Sequence, residues 1–121
     1  MVVDDEEYIR MLYTEELTEE GYDVVTASSG FRIIDRIEKE DPDLIVLDIK
    51  LKDDNGLDLL QLIKNRFEHT PVGICSAYDT FREDMKSIAA DFYVVKTLDL
   101  NELKYTIASS LDDHIQTGSR L

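Results

Sequence analysis

PDLIVLDIK, residues 42–50, sets four apolar side chains in a row, Leu44, Ile45, Val46 and Leu47, directly before the carboxylate of Asp48. A continuous apolar run bounded by a proline suits a strand covered on both faces, as in a parallel sheet. A charge closing such a strand is costly to bury without a partner. The chain opens on the same pattern: MVVDDEE, residues 1–7, passes from apolar residues straight into Asp4 and Asp5. Two readings are open. The carboxylates point into water, or two strand ends build one acidic pocket.

Working outward, five apolar, β-rich runs can be marked, at residues 1–3, 22–26, 43–47, 71–75 and 91–95. Helical spacing fills the gaps between them. Ile9, Leu12, Tyr13 and Leu17 repeat at that spacing until Gly21 stops the helix. Ile33, Ile34 and Ile37 make a shorter second helix that closes before Pro42, and Leu59, Leu60, Ile63 and Phe67 mark a third. Thr80 with Glu83 forms a capping box for a fourth helix, with Phe81, Met85 and Ile88 on one face. Asp99 with Glu102 opens a fifth, striped by Leu100, Leu103, Ile107 and Leu111. The last ten residues, DDHIQTGSRL at 112–121, lose the pattern and read as a frayed end or the start of a linker.

Strands alternating with helices imply βαβ units and a parallel sheet covered on both faces. The expected fold is therefore α/β, a flavodoxin-like, doubly wound five-stranded parallel sheet of order 2-1-3-4-5 with five helices. Sites in such sheets form outside the carboxyl ends of the strands, where the strand order reverses. The first and third strands flank that point. They end in Asp4, Asp5 and Asp48.

Composition narrows the function classes. The 121 residues are 43% hydrophobic and 33% charged, an ordinary globular balance for one domain. No apolar run approaches the roughly 20 residues of a membrane span, and no signal peptide is expected. A single cysteine, Cys75, excludes an internal disulfide framework and fits a reducing compartment, so the expected location is cytoplasmic. Thirteen lysines and arginines stand against 27 acids, a net charge of −14 that argues against direct nucleic-acid binding.

Three carboxylates crowded at one point repel one another unless a cation neutralises them. Hard oxygen donors with room for water suit Mg²⁺, which is commonly held by one or two carboxylates plus phosphate oxygens. The other strands deliver more groups to the same edge: the fourth ends in Ser76 and the fifth, FYVVK, in Lys96. Acids for a metal, a further carboxylate, a hydroxyl and an ammonium make a site for an oxyanion, a phosphoryl group above all.

VVDDEE, LIVLDIKLKDDNG, GICSAY and FYVVK, each at a strand end and in this order, resemble the receiver domain of two-component response regulators, the CheY-like family. The resemblance covers residues 1–111, with 112–121 as tail. It implies that Asp48 is the phosphoacceptor, taking a phosphoryl group from a histidine kinase or a histidine phosphotransfer protein. It implies further that Asp5 binds Mg²⁺ directly, Asp4 through water and Lys50 through its backbone carbonyl, and that Ser76 and Lys96 hold phosphoryl oxygens. Tyr93 matches the family's switch aromatic. A signal would leave through the fourth helix, fifth strand and fifth helix, toward a second copy or a downstream protein. Such a domain takes part in its own phosphotransfer and hydrolysis without being a turnover enzyme.

The chain departs from the family pattern in places. Thr97 follows Lys96 where proline is usual, so a trans bond is expected there. Lys52 stands where proline is frequent, Ala89 and Ala90 replace a common Gly-Ala, and the short first strand points to a trimmed N-terminus. Elsewhere bland readings apply: Cys75 as a small core residue, His69 and His114 as solvated surface. Rival functions fit less well. A flavin binder needs a phosphate cradle where DDEE stands. The DDNG stretch fails EF-hand spacing because Leu51 falls on the first ligand position. An aspartate-nucleophile phosphatase wants a second acid where Lys50 stands. The remaining alternative is a receiver-like binding module that works without phosphorylation.

Overall fold

A computed structural model describes the backbone of residues 1–77, 90–97 and 99–119, and the side chains up to residue 112 within those ranges. In chain order the elements are β1 (Val2–Val3), α1 (Glu7–Glu19), β2 (Thr26–Ala27), α2 (Ile33–Glu40), β3 (Ile45–Leu47), α3 (Gly56–Arg66), β4 (Val72–Ser76), β5 (Phe92–Val95) and a C-terminal helix (Asn101–Ser119). All strand pairs are parallel and the sheet order is β2-β1-β3-β4-β5, as expected. Four of the five expected helices fall among the described residues. The one opened by Thr80, with Phe81, Glu83, Met85 and Ile88, lies outside them.

Alternation along the strands feeds two cores, one per face. Ile45 and Leu47 of β3 join Val3, Val72 and Ile74 against Ile33 and Ile37 of α2 and Leu59, Leu60 and Ile63 of α3. Val46 turns the other way, with Val2, Cys75 and Val94, against Tyr13 and Leu17 of α1 and Leu103 and Ile107 of the C-terminal helix. That double burial is why the LIVL run is apolar throughout.

Two boundaries move by more than two residues. The run at 22–26 pairs only at its end, because β1 offers two residues and fixes the register as Val2↔Thr26 and Val3↔Ala27. Tyr22 and Val24 pack instead against the core under α1. The last helix continues past Leu111 to Ser119, since its polar final turns carry no proline to break it.

Local chemistry sets the other ends. Gly21, at φ 96°, supplies the left-handed residue that stops α1. Asn55 caps α3 by accepting the Leu57 amide at 2.9 Å. Gly56 follows because a Cβ there would stand 2.4 Å from backbone atoms of Ile49 and 2.5 Å from the Asp48 carbonyl oxygen. At the amino ends of β4 and β5, Lys64 Nζ donates to the carbonyls of Glu68 at 3.2 Å and Thr70 at 2.9 Å, and to Asp91 Oδ2 at 3.1 Å. The same Asp91 oxygen accepts the Val72 amide at 2.7 Å.

Candidate functional site

The parallel strands all deliver their last residues to one edge. Among the described residues, Asp4, Asp48 and Ser76 are the buried polar or charged ones, at 2%, 5% and 1% exposure. Each closes a strand whose preceding residues are core, so the backbone that buries the apolar side chains carries these groups inward too. The ladder holds them in place: Asp4 N–H donates to Ala27 O at 3.0 Å, Asp48 N–H to Val3 O at 3.0 Å, and Lys96 N–H to Ser76 O at 2.6 Å.

Lys96 is the centre of the arrangement. Its Nζ lies 2.8 Å from Asp4 Oδ2, 3.3 Å from Asp48 Oδ2 and 3.5 Å from Glu6 Oε1. Asp4 Oδ1 accepts the Glu6 amide at 2.9 Å, and Asp48 Oδ1 accepts the Lys50 amide at 3.3 Å. Lys50 is further held by a bridge to Asn55. Asp4, Asp5 and Glu6 each place a carboxylate oxygen within 4.8 Å of the other two. Three carboxylates thus surround one ammonium, and a fourth, Asp5, clusters with two of them.

The electrostatics follow. Burial raises the Asp48 carboxyl from 3.8 to about 6, with the Lys96 charge pulling it down and the Asp4 charge pushing it up. Burial alone would lower the Lys96 ammonium. Its hydrogen bond to Asp4 and the charges of Asp48 and Asp4 outweigh that and hold it above its ordinary value. The lysine therefore stays charged, while Asp48 is poised to respond to any further cation.

The donor set fits a hard divalent ion: clustered carboxylates on one strand end and a further carboxylate on the next, with no histidine or cysteine in that cluster among the described residues. The expected site residues Asp4, Asp48 and Lys96 are brought into direct contact, and Asp5 joins them through the carboxylate cluster. Ser76 is buried at the end of β4, and Tyr93 is half-buried against the core of α2 and α3. His69 is exposed beside Glu68, and Cys75 is a core residue. Three contributors were not anticipated. Glu6 was legible as the next acid of DDEE. Arg10, whose Nη1 donates to Asp4 O at 2.8 Å, had only its helical spacing as a signal. Tyr13, hydrogen-bonded to Cys75 at 3.2 Å, looked like any apolar-stripe residue.

Known proteins share the sequence pattern and the fold. The response regulator receiver domain model matches residues 1–108. The chain is 31% identical over 113 residues to sporulation initiation phosphotransferase F of Bacillus subtilis, covering 92% of this chain and 91% of that protein. The response regulator TrrA of Thermotoga maritima, solved in complex with Mg²⁺ and beryllofluoride, superposes with a TM-score of 0.84 at 38% identity, over 89% of this chain and 94% of that one. A CheY-like receiver domain from Methanospirillum hungatei gives 0.88 at 26% identity, over 96% and 94%.

Proposed function

Because the chain belongs to the response regulator receiver domain family of two-component phosphorelays, we propose that it takes a phosphoryl group on Asp48 from a phosphohistidine of a kinase or histidine phosphotransfer protein. The observation that carries this reading is the Lys96 ammonium reaching both Asp4 and Asp48, inside an excess of carboxylates. An Asp48 oxygen forms the new O–P bond as the N–P bond of the donor breaks, and the electron pair returns to the imidazole, which then takes up a proton. Attack of one anion on another needs screening, and Lys96 supplies part of it. Asp5, Asp4, Asp48 and the Lys50 carbonyl would hold Mg²⁺, whose charge neutralises the phosphoryl oxygens when bound. The complex of TrrA with Mg²⁺ and beryllofluoride supports that role by analogy. Later attack of water on the acyl phosphate resets the site, so the domain is not a turnover enzyme.

Ser76 would donate its hydroxyl to a phosphoryl oxygen, and Tyr93 would turn toward the space this vacates. The output face then comprises β5, the C-terminal helix with its exposed Tyr105, and residues 81–88, which lie outside the described ones. A few kcal/mol of bias suffices to shift such a two-state face. It would present to a second copy or a downstream protein. We take residues 1–111 as the receiver unit and the cytoplasm as its location; no described helix is long and apolar enough to cross a membrane.

Incubation with Mg²⁺ and acetyl phosphate, read by intact mass, tests the assignment. One added phosphoryl group is expected in the wild type and none in Asp48→Asn. Labelling that persists in the variant removes Asp48 as acceptor. An unlabelled wild type would favour the phosphorylation-independent binding module.

A further inference from the structure

α1 touches the site edge through two polar contacts that belong to no ladder. Arg10 Nη1 donates to Asp4 O at 2.8 Å, and the Tyr13 hydroxyl is hydrogen-bonded to Cys75 Sγ at 3.2 Å. Residues three apart share a helix face, so both contacts leave the same side of α1. They land on different strands. Asp4 closes β1 and Cys75 is the penultimate residue of β4, and β3 with Asp48 runs between those strands. One helix therefore holds the acid-bearing end and the hydroxyl-bearing end of the site, across the strand that carries the proposed phosphoacceptor.

Tyr13 is 1% exposed and Cys75 3%. A buried tyrosine hydroxyl needs a partner, and a thiol is a weak one. An apolar side chain would fill the space between α1 and β4 without that requirement. The bond is also within reach of the site's field. After burial itself, the charges of Asp4 and Asp48 are among the causes that push both the Tyr13 hydroxyl and the Cys75 thiol up. Cys75 directly precedes Ser76, and successive strand residues face opposite ways. Anchoring Cys75 from one face thus fixes the backbone from which Ser76 projects on the other.

We propose that Tyr13 is a positioning residue for the phosphoryl-oxygen side of the site, holding the end of β4 through Cys75 so that Ser76 meets its oxygen in register. This rests on the phosphoacceptor reading above. Arg10 sets the backbone of the acidic strand end and serves as the internal contrast.

The test measures two affinities by calorimetry, Mg²⁺ alone and beryllofluoride at saturating Mg²⁺, with folding checked by thermal unfolding. Tyr13→Phe keeps the ring and loses the bond. Its Mg²⁺ affinity should match the wild type while beryllofluoride binds about fivefold more weakly, the order of one net hydrogen bond. Arg10→Gln should show the opposite split, with Mg²⁺ weakened first. Cys75→Ser preserves a partner for Tyr13 and should retain wild-type beryllofluoride affinity, whereas Cys75→Val should reproduce Tyr13→Phe. That pair carries the test if Tyr13→Phe does not fold. Wild-type beryllofluoride affinity in both Tyr13→Phe and Cys75→Val would reduce Tyr13 to a satisfied core tyrosine. Equal loss of both affinities in Tyr13→Phe would mean general loosening and would overturn the positioning role. A wild type that binds neither Mg²⁺ nor beryllofluoride would overturn the phosphoacceptor reading, and this inference with it.

Discussion

Lys64 and Lys96 sit at opposite ends of the same sheet and are about equally shielded, with side chains 12% and 10% exposed. Their surroundings differ. Lys64 donates to two backbone carbonyls and one carboxylate, that of Asp91, which is itself occupied by the Val72 amide. Its charge is matched and its donors are used. Lys96 faces Asp4, Asp48 and Glu6, with Asp5 in the same cluster, so negative charge remains in excess. A matched lysine joins elements together. An outnumbered one leaves a demand for more positive charge, and that demand is what marks the other end as the candidate site.

The comparison is broken most easily through the lysines themselves. With acetyl phosphate and Mg²⁺, Lys96→Met should slow labelling about 100-fold, the scale of a lost electrostatic contact to a developing oxyanion. Lys64→Met should leave the labelling rate within about twofold and lower stability in urea by about 2 kcal/mol, from stranded carbonyls and the unpaired Asp91. Equal kinetic effects would erase the distinction between the two ends.

Carboxylate removal should then give opposite signs. Asp48 has a folded-state pKa near 6 against 3.8, so the folded protein binds more protons between those values than the unfolded chain does. Its ionisation therefore costs stability, fully so above pH 6 and not at all below pH 4. Metal-free Asp48→Asn should be more stable than the wild type by roughly 2 kcal/mol at pH 7 after allowance for screening. That advantage should fade as pH falls from 6 to 4. Asp91→Asn should instead destabilise by about 1 kcal/mol. Urea titrations across this pH range read both.

Metal binding gives the sharpest contrast. Mg²⁺ at about ten times its dissociation constant should stabilise the wild type by about 1.4 kcal/mol. Lys64→Met should gain the same amount and Asp5→Ala nothing. A gain in Asp5→Ala equal to wild type would place the ion elsewhere.

Much of this was legible in the sequence because it is local. LIVLD, VVDD and FYVVK state burial and its interruption in consecutive letters, and the parallel arrangement brings those interruptions to one edge. What escaped depends on distant partners. β2 shifted to Thr26–Ala27 because β1 sets its register, not because of its own composition. The bond between Tyr13 and Cys75 joins residues 62 apart, each of which reads as ordinary core on its own. The unequal hold of Lys96, shorter to Asp4 than to Asp48, follows from where two strand ends stop relative to a third.

Gly56 constrains how this sequence can drift. Every other residue type adds a Cβ, and the space for one is taken by Ile49 and by the carbonyl of Asp48. A replacement there would have to displace the peptide unit that carries the proposed phosphoacceptor. Lys52 and Asp53, a few letters earlier and exposed, are under no such restriction. Neutral variation can therefore accumulate in the first half of this loop and stop abruptly at its end, although the glycine itself contributes no chemical group.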